Sequence, residues 1–359
     1  MLFTCLPPGA PIPGRFPGPA HARGKWFSVD IHCHTLCQPA RELVAAANLP
    51  NPRHRHDSPE TAQTTAEHQS RVQPQLLSLE KRLADMDQMG IDVQAVSPSP
   101  DQTYWGLPAD LAIEATRLVN DNIADICGKH PDRFAGLGTV PFQAPELAVA
   151  ELERLNKSLG LRGIEIAGSV AGEDLSAERY WPIFRKCEEL GLVLFMHPTG
   201  FTETGRMGPW HLGNLIGNPL ESTVAVHHLI FGGVLDAYPG LKLVIAHGGG
   251  FLPAYSGRID HGAAARPDTC EHLHHEPTHY LKRLYFDTMV FTHHQLEYLV
   301  EVWGADHILM GTDYPFDMGD VDPIGFVEGA PRLSDGDRKA ILGGNAARLL
   351  NIPLRVFQK

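Results

Sequence analysis

The residues Val29-Asp30-Ile31-His32-Cys33-His34 carry the chain's clearest chemical pattern. Side chains alternate along a strand, so His32 and His34 share one face and Cys33 takes the other. Two imidazoles at the end of a strand can grip one metal ion. The same spacing in His54-Arg55-His56 lies in a polar segment without strand character and reads as surface. The first pair has company: His197 ends an apolar run before a proline, His247 ends another before three glycines, and Asp313 ends a third in Gly-Thr-Asp-Tyr-Pro. If those ends share one face of the fold, His32, His34, His197 and Asp313 converge on a metal with His247 beside it. Three neutral imidazoles and a carboxylate suit Zn²⁺ best, with Mn²⁺, Fe²⁺ or Co²⁺ admissible because such ligands discriminate weakly. The ion would lower the pKa of a bound water, and His247 is placed to take or return a proton.

Bringing these groups together requires a scaffold whose strand ends meet. From Lys25 onward the sequence alternates short apolar runs with stretches of helical period. The runs are WFSVDIH, VQAVS, FAGLGTV, GIEIAG, VLFMH, KLVIAH, LYFDTMV and HILMGT. Helices are expected near 78–90, 109–129, 144–159, 177–190, 219–238, 251–262, 293–303 and 334–350, with Pro182 in a first turn. Eight such units predict a (β/α)₈ TIM barrel of the α/β class, in which strand C-termini share one face. An open doubly wound sheet is the weaker reading, because no GxGxxG follows the first strand and the reactive residues end several strands. Residues 36–76 read as a small insertion after strand one, and 262–281 as a long loop. Residues 1–25, rich in proline and glycine, read as a flexible tail, with 26–359 forming a single barrel domain.

Composition narrows the function. The chain has 359 residues, a formal charge of −12, and 20 histidines. An acidic protein repels phosphate backbones, so nucleic-acid partners are not expected. No apolar run is long enough for a membrane span, and the six cysteines show no CxxC, which favours a cytoplasmic setting.

With HxH after the first strand, MHP at 196–198, AHGGG at 246–250 and GTDYPF at 311–316, the chain resembles the amidohydrolase superfamily. It looks most like the branch of 2-amino-3-carboxymuconate-6-semialdehyde decarboxylase, and the similarity covers nearly the whole chain after residue 78. The resemblance implies a barrel, one divalent metal held by His32, His34, His197 and Asp313, and His247 activating a metal-bound water. It implies non-oxidative decarboxylation of an aromatic or muconate-type carboxylate, without an organic cofactor. A metal-dependent hydrolase or hydratase acting on a small carboxylate is the alternative on the same scaffold. It further implies two arginines for substrate carboxylates. Arg258, eleven residues after His247, would reach the neighbouring active site of a homodimer; Arg71, in the insertion, would be the other, with Arg82 anchored instead to the first helix.

The chain departs from the family at three positions. It has Thr199 where an aromatic is expected, and His211 and Asn214 where tryptophans are, which shifts the pocket wall from stacking to hydrogen bonding. Trp105 and Phe316 remain as candidate aromatic walls. Asp287 and His294 are minor site candidates. His227, His228 and His293 read as surface or capping residues, and His272, His274, His275 and His279 as a polar loop without fixed geometry.

Overall fold

The computed structural model describes residues 26–49, 57–201, 205–270 and 273–353. The expected tail 1–25, the His54-Arg55-His56 triplet and His272 lie outside the described residues. Eight parallel strands pair in chain order: β1 Val29–Thr35, β2 Val93–Pro98, β3 Phe134–Gly138, β4 Gly163–Ile166, β5 Val193–Met196, β6 Lys242–Ile245, β7 Tyr285–Asp287 and β8 Ile308–Leu309. The last edge returns to the first: Ile31 N donates to Met310 O at 2.9 Å, and Cys33 bridges to Tyr314. The fold is the expected (β/α)₈ TIM barrel.

Strand alternation sorts the side chains into two cores. Val29, Ile31, Val93, Ala95, Leu137, Val193, Phe195, Val244 and Leu309 fill the barrel interior over Ala346–Leu350. Val96, Ile164, Leu194 and Ile245 face outward onto the helices. Helix Ala109–Lys129 shows why the helical period was readable: Ala112, Ala115, Val119 and Ile123 form one buried stripe. Pro182 lies in the first turn of Trp181–Leu190, where its missing N–H costs nothing.

The segments outside the simple alternation are more ordered than their composition suggested. The insertion contains helices Gln38–Ala46 and Pro59–Leu77, the second capped by the Ser58 side chain accepting from Thr61 N. Its far end is tied to the barrel mouth, because Leu76 O accepts from Leu36 N and Thr35 Oγ1. Val72 and Leu76 pack there with Leu36 and Phe316. The expected loop 262–281 is partly helical, since helix Leu252–Ala265 runs into it and Pro277–Leu281 closes it. The expected helix 334–350 has a wide turn, Ala340–Gly344, between Asp335–Lys339 and Asn345–Leu349.

Candidate metal centre

Plain alternation delivers one of the site's histidines, and local breaks in it deliver the rest. On β5, Val193 and Phe195 point inward and His197 follows in phase. On β1, Val29 and Ile31 already point inward, so unbroken alternation would send His32 and His34 out toward the helices. The β1–β2 register slips by one residue between Asp30 and Cys33, and this bulge swings both imidazoles inward while Cys33 joins the outer core. His247 follows the inward Ala246 and re-aims through a left-handed φ of 56°. Gly249 continues that turn at φ 80°, where a Cβ would lie 2.4 Å from the Phe286 ring. Asp313 has a φ of 54°.

The structure brings His32, His34, His197 and Asp313 together, with one ligand atom from each lying within 4.8 Å of the others. Asp313 Oδ1 is 3.2 Å from His32 Nε2 and 3.4 Å from His34 Nε2. All four side chains are buried, yet His32 Nε2, His34 Nε2, both His197 nitrogens and Asp313 Oδ1 have no hydrogen-bond partner. A buried polar atom without a partner costs about 1–3 kcal/mol. Several converging on one point fit a cation, and the N₃O donor set suits a transition metal or zinc. His247 stands beside this cluster, with Nε2 3.7 Å from Asp313 Oδ2 and its side chain 17% exposed.

Outside the cluster, further groups fix the imidazoles. His34 Nδ1 donates to Pro98 O at 2.9 Å and lies 3.2 Å from Ser97 Oγ, which donates to Glu165 Oε2 at 2.6 Å. His32 Nδ1 lies 2.6 Å from Asp287 Oδ2. Arg82 is buried, donating to the His34 carbonyl and to Gln94 Oε1, with its guanidinium over the Tyr314 ring. It is committed to holding β1. Sequence reasoning missed Glu165, Ser97 and this role of Arg82. A signal existed for Glu165, a charged residue within the apolar run GIEI.

Charge in the metal-free centre is shared around Asp313. Burial disfavours the charged form of His32, but Asp313 and Asp287 outweigh it and hold its pKa up at about 10. Burial likewise opposes charging of His34, which Asp313 and Glu165 raise to about 9. His197 is pushed well below its ordinary value by burial and by the other three imidazoles. Asp313 is held well below the usual carboxylate range: burial opposes this, and His32, His247 and His34 prevail.

The two arginines expected to bind substrate carboxylates, Arg71 and Arg258, are not part of the cluster. Arg71 is exposed on helix Pro59–Leu77, and Arg258 is exposed on helix Leu252–Ala265. His211, with a left-handed φ of 60°, lines a cleft with Ser58, Thr61, Trp210 and Asp317. Thr199 and Asn214 are half-buried. Phe316 lies against His34, with ring centroids 5.3 Å apart, so it does wall the centre. Trp105 does not: it packs on Phe142 and donates to Val140 O in the core. His294 is exposed on helix His293–Trp303. His275 and His279 stack at 4.0 Å and His274 pairs with Asp236; of the three, His279 lies in helix Pro277–Leu281.

A parallel barrel with a buried His-His-His-Asp cluster at the C-terminal ends of its strands defines the class, a metal-dependent barrel enzyme. The chain belongs to the amidohydrolase family, whose model matches residues 29–352. It is 37% identical over 273 residues to 2-amino-3-carboxymuconate-6-semialdehyde decarboxylase of Dictyostelium discoideum, covering 76% of each chain. The Caenorhabditis elegans protein of the same name is 30% identical, with 92% of this chain and 96% of that one covered. Among solved structures, the dihydroxybenzoic acid decarboxylase of Polaromonas sp. JS666, with bound manganese and the inhibitor 2-nitroresorcinol, superposes with a TM-score of 0.77. That protein is 26% identical, and the match covers 91% of this chain and 97% of that one.

Proposed function

We propose that the protein is a metal-dependent, non-oxidative decarboxylase of an aromatic or muconate-type carboxylate, with His32, His34, His197 and Asp313 holding the ion. It is an enzyme, a carboxy-lyase. The observation that carries the reading is the convergence of unpartnered donor atoms from four buried side chains. Zn²⁺ suits three imidazoles and a carboxylate, Mn²⁺ is the ion in the Polaromonas enzyme, and Fe²⁺ or Co²⁺ share the same donor preference. When bound, the ion is a Lewis acid that polarises the substrate and acidifies water.

The chain's own residues do the rest. The Nδ1–H of His34 is spent on Pro98 O, which turns the Nε2 lone pair toward the cluster. Phe195 and the interior core close the barrel below the centre. His247 holds or returns a proton at Nε2: as the C–CO₂ bond breaks, its electron pair stays on the substrate carbon, and the proton from His247 ends there. Arg71 and Arg258 supply charge for substrate carboxylates, which guanidinium binds in a bidentate fork. An exposed Arg258 beside the 64%-exposed Tyr255 supports a homodimer in which Arg258 serves the neighbouring site. The described residues include no helix long and apolar enough to cross a membrane. Cys33, Cys37, Cys127 and Cys187 carry no disulfide, which supports a cytoplasmic setting.

A screen of aromatic and muconate carboxylates for CO₂ release tests the reading. A stoichiometric hydrolysis or hydration product with no CO₂ would overturn it in favour of the alternative. Mixing inactive Arg258→Ala and His247→Ala proteins is expected to restore part of the activity, because a mixed dimer keeps one intact site. No recovery in a confirmed mixed dimer would remove Arg258 from the neighbouring site.

Metal uptake should depend steeply on pH. With pKa values held at about 10 and about 9, His32 and His34 are both charged at neutral pH in the metal-free protein. Loading must expel up to about two protons per ion, and affinity rises with pH until about pH 10. Conversely, the stability that these raised pKa values lend the metal-free protein is complete below the ordinary histidine range and is lost as pH climbs through 9–10. Calorimetric titration in buffers of different ionisation enthalpy counts the protons; zero release would contradict the charged pair.

A further inference from the structure

We propose that Asp287 is a positioning residue that couples the metal centre to the proton-moving group, setting the tautomer of His32 and the aim of His247 through one carboxylate. The inference rests on the reading above, in which His32 binds the ion and His247 moves a proton. Asp287 ends β7 and is fully buried. Its Oδ2 lies 2.6 Å from His32 Nδ1 and accepts from His247 N at 3.1 Å; its Oδ1 accepts from Gly248 N at 2.7 Å and Met289 N at 3.1 Å. Four donors from three separate segments therefore meet on two oxygens.

Each contact has a consequence at the centre. A carboxylate can only accept, so Nδ1 of His32 must carry the proton and Nε2 presents a lone pair to the cluster. The two amides from the turn after β6 belong to residues at φ 56° and 62°, and they pin the backbone from which the His247 side chain departs. The contact with His32 crosses a whole strand, because β8 lies between β7 and β1. Gly311 makes the crossing possible: a Cβ there would lie 2.9 Å from His32 Cβ and 3.2 Å from Asp287 Cβ. Asparagine at 287 could still accept from His32 or from the turn, but its NH₂ group would face a donor on the other side. Metal affinity and turnover should then fall together.

The test uses full-length protein stripped of metal and titrated with Mn²⁺, with free Mn²⁺ read by electron paramagnetic resonance and folding checked by circular dichroism. Asp287→Asn is expected to weaken Mn²⁺ binding by about 10–100-fold. Its kcat at saturating Mn²⁺ should also fall at least about 10-fold, the low end of what a misdirected catalytic group costs. A merely structural role would lower the melting temperature and leave the Mn²⁺ affinity of the folded protein unchanged, and that result would overturn the proposal. If Asp287→Asn does not fold, Gly311→Ala decides, because it wedges His32 from Asp287 while keeping both side chains. Weaker Mn²⁺ binding supports the coupling, and wild-type affinity refutes it. Wild-type protein that binds Mn²⁺ but releases CO₂ from no carboxylate would sink the decarboxylase reading, while the two titrations would still decide the role of Asp287.

Discussion

Replacing His247 with alanine is expected to leave metal content unchanged and to lower kcat by about 10²–10⁴-fold, the usual worth of a positioned acid–base group. The metal should stay because the four converging ligand atoms do not include His247. Its Nε2 stands 3.7 Å from Asp313 Oδ2, beyond hydrogen-bond reach, and its Nδ1 has no partner. Turnover should fail because no neighbour can take the role. The His32 and His34 side chains are fully buried and their outer nitrogens are engaged, whereas the His247 side chain is 17% exposed and can exchange protons with solvent. The φ of 56° strains alanine slightly, so His247→Asn, a residue tolerant of that region, should be made beside it. Metal analysis with a CO₂ assay on both variants decides the matter. Loss of metal in both would make His247 a ligand instead.

Asp313→Ala should lose tight metal binding, by more than about 100-fold, since outer-shell partners alone are worth 10–100-fold. Asp313 is the cluster's single carboxylate and faces three imidazoles at 3.2, 3.4 and 3.7 Å. Without it, an incoming dication meets only neutral or cationic rings, and the nearest carboxylates, Asp287 and Glu165, reach it only through His32 and His34. Asp313→Asn keeps the shape and removes the charge, and should fall between alanine and wild type. Metal stoichiometry of the purified variants is the measurement, and unchanged content in Asp313→Ala would strike this residue from the ligand set.

The barrel was legible because its signals are local. Helices at 109–129 and 293–303 coincide with Ala109–Lys129 and His293–Trp303, where the apolar period is unbroken. The insertion was harder. Helix Pro59–Leu77 has a polar outer face and only Val72 and Leu76 buried, so its amphipathic stripe is too thin to stand out. At the centre, the positions of His197, His247 and Asp313 at strand ends were readable from the punctuation that follows them. The Glu165–Ser97 link to His34 and the Arg82 clamp on the His34 carbonyl were not, because they join residues on different strands and helices.

The sequence by itself determined the inventory: eight strands in order, four metal-competent side chains and a fourth histidine, His247, with His197, His247 and Asp313 each followed by residues that end a strand. Periodicity and turn chemistry act over a few residues, so they survive in a one-dimensional string. Only the tertiary structure decided where those side chains aim. A one-residue bulge in β1 turns His32 and His34 inward, left-handed backbone re-aims His247 and Asp313, and Gly311 lets Asp287 reach His32 across an intervening strand. Each of these depends on what the neighbouring strand presents. His32 and Asp287 meet from 255 residues apart in the chain, across the strand that lies between theirs.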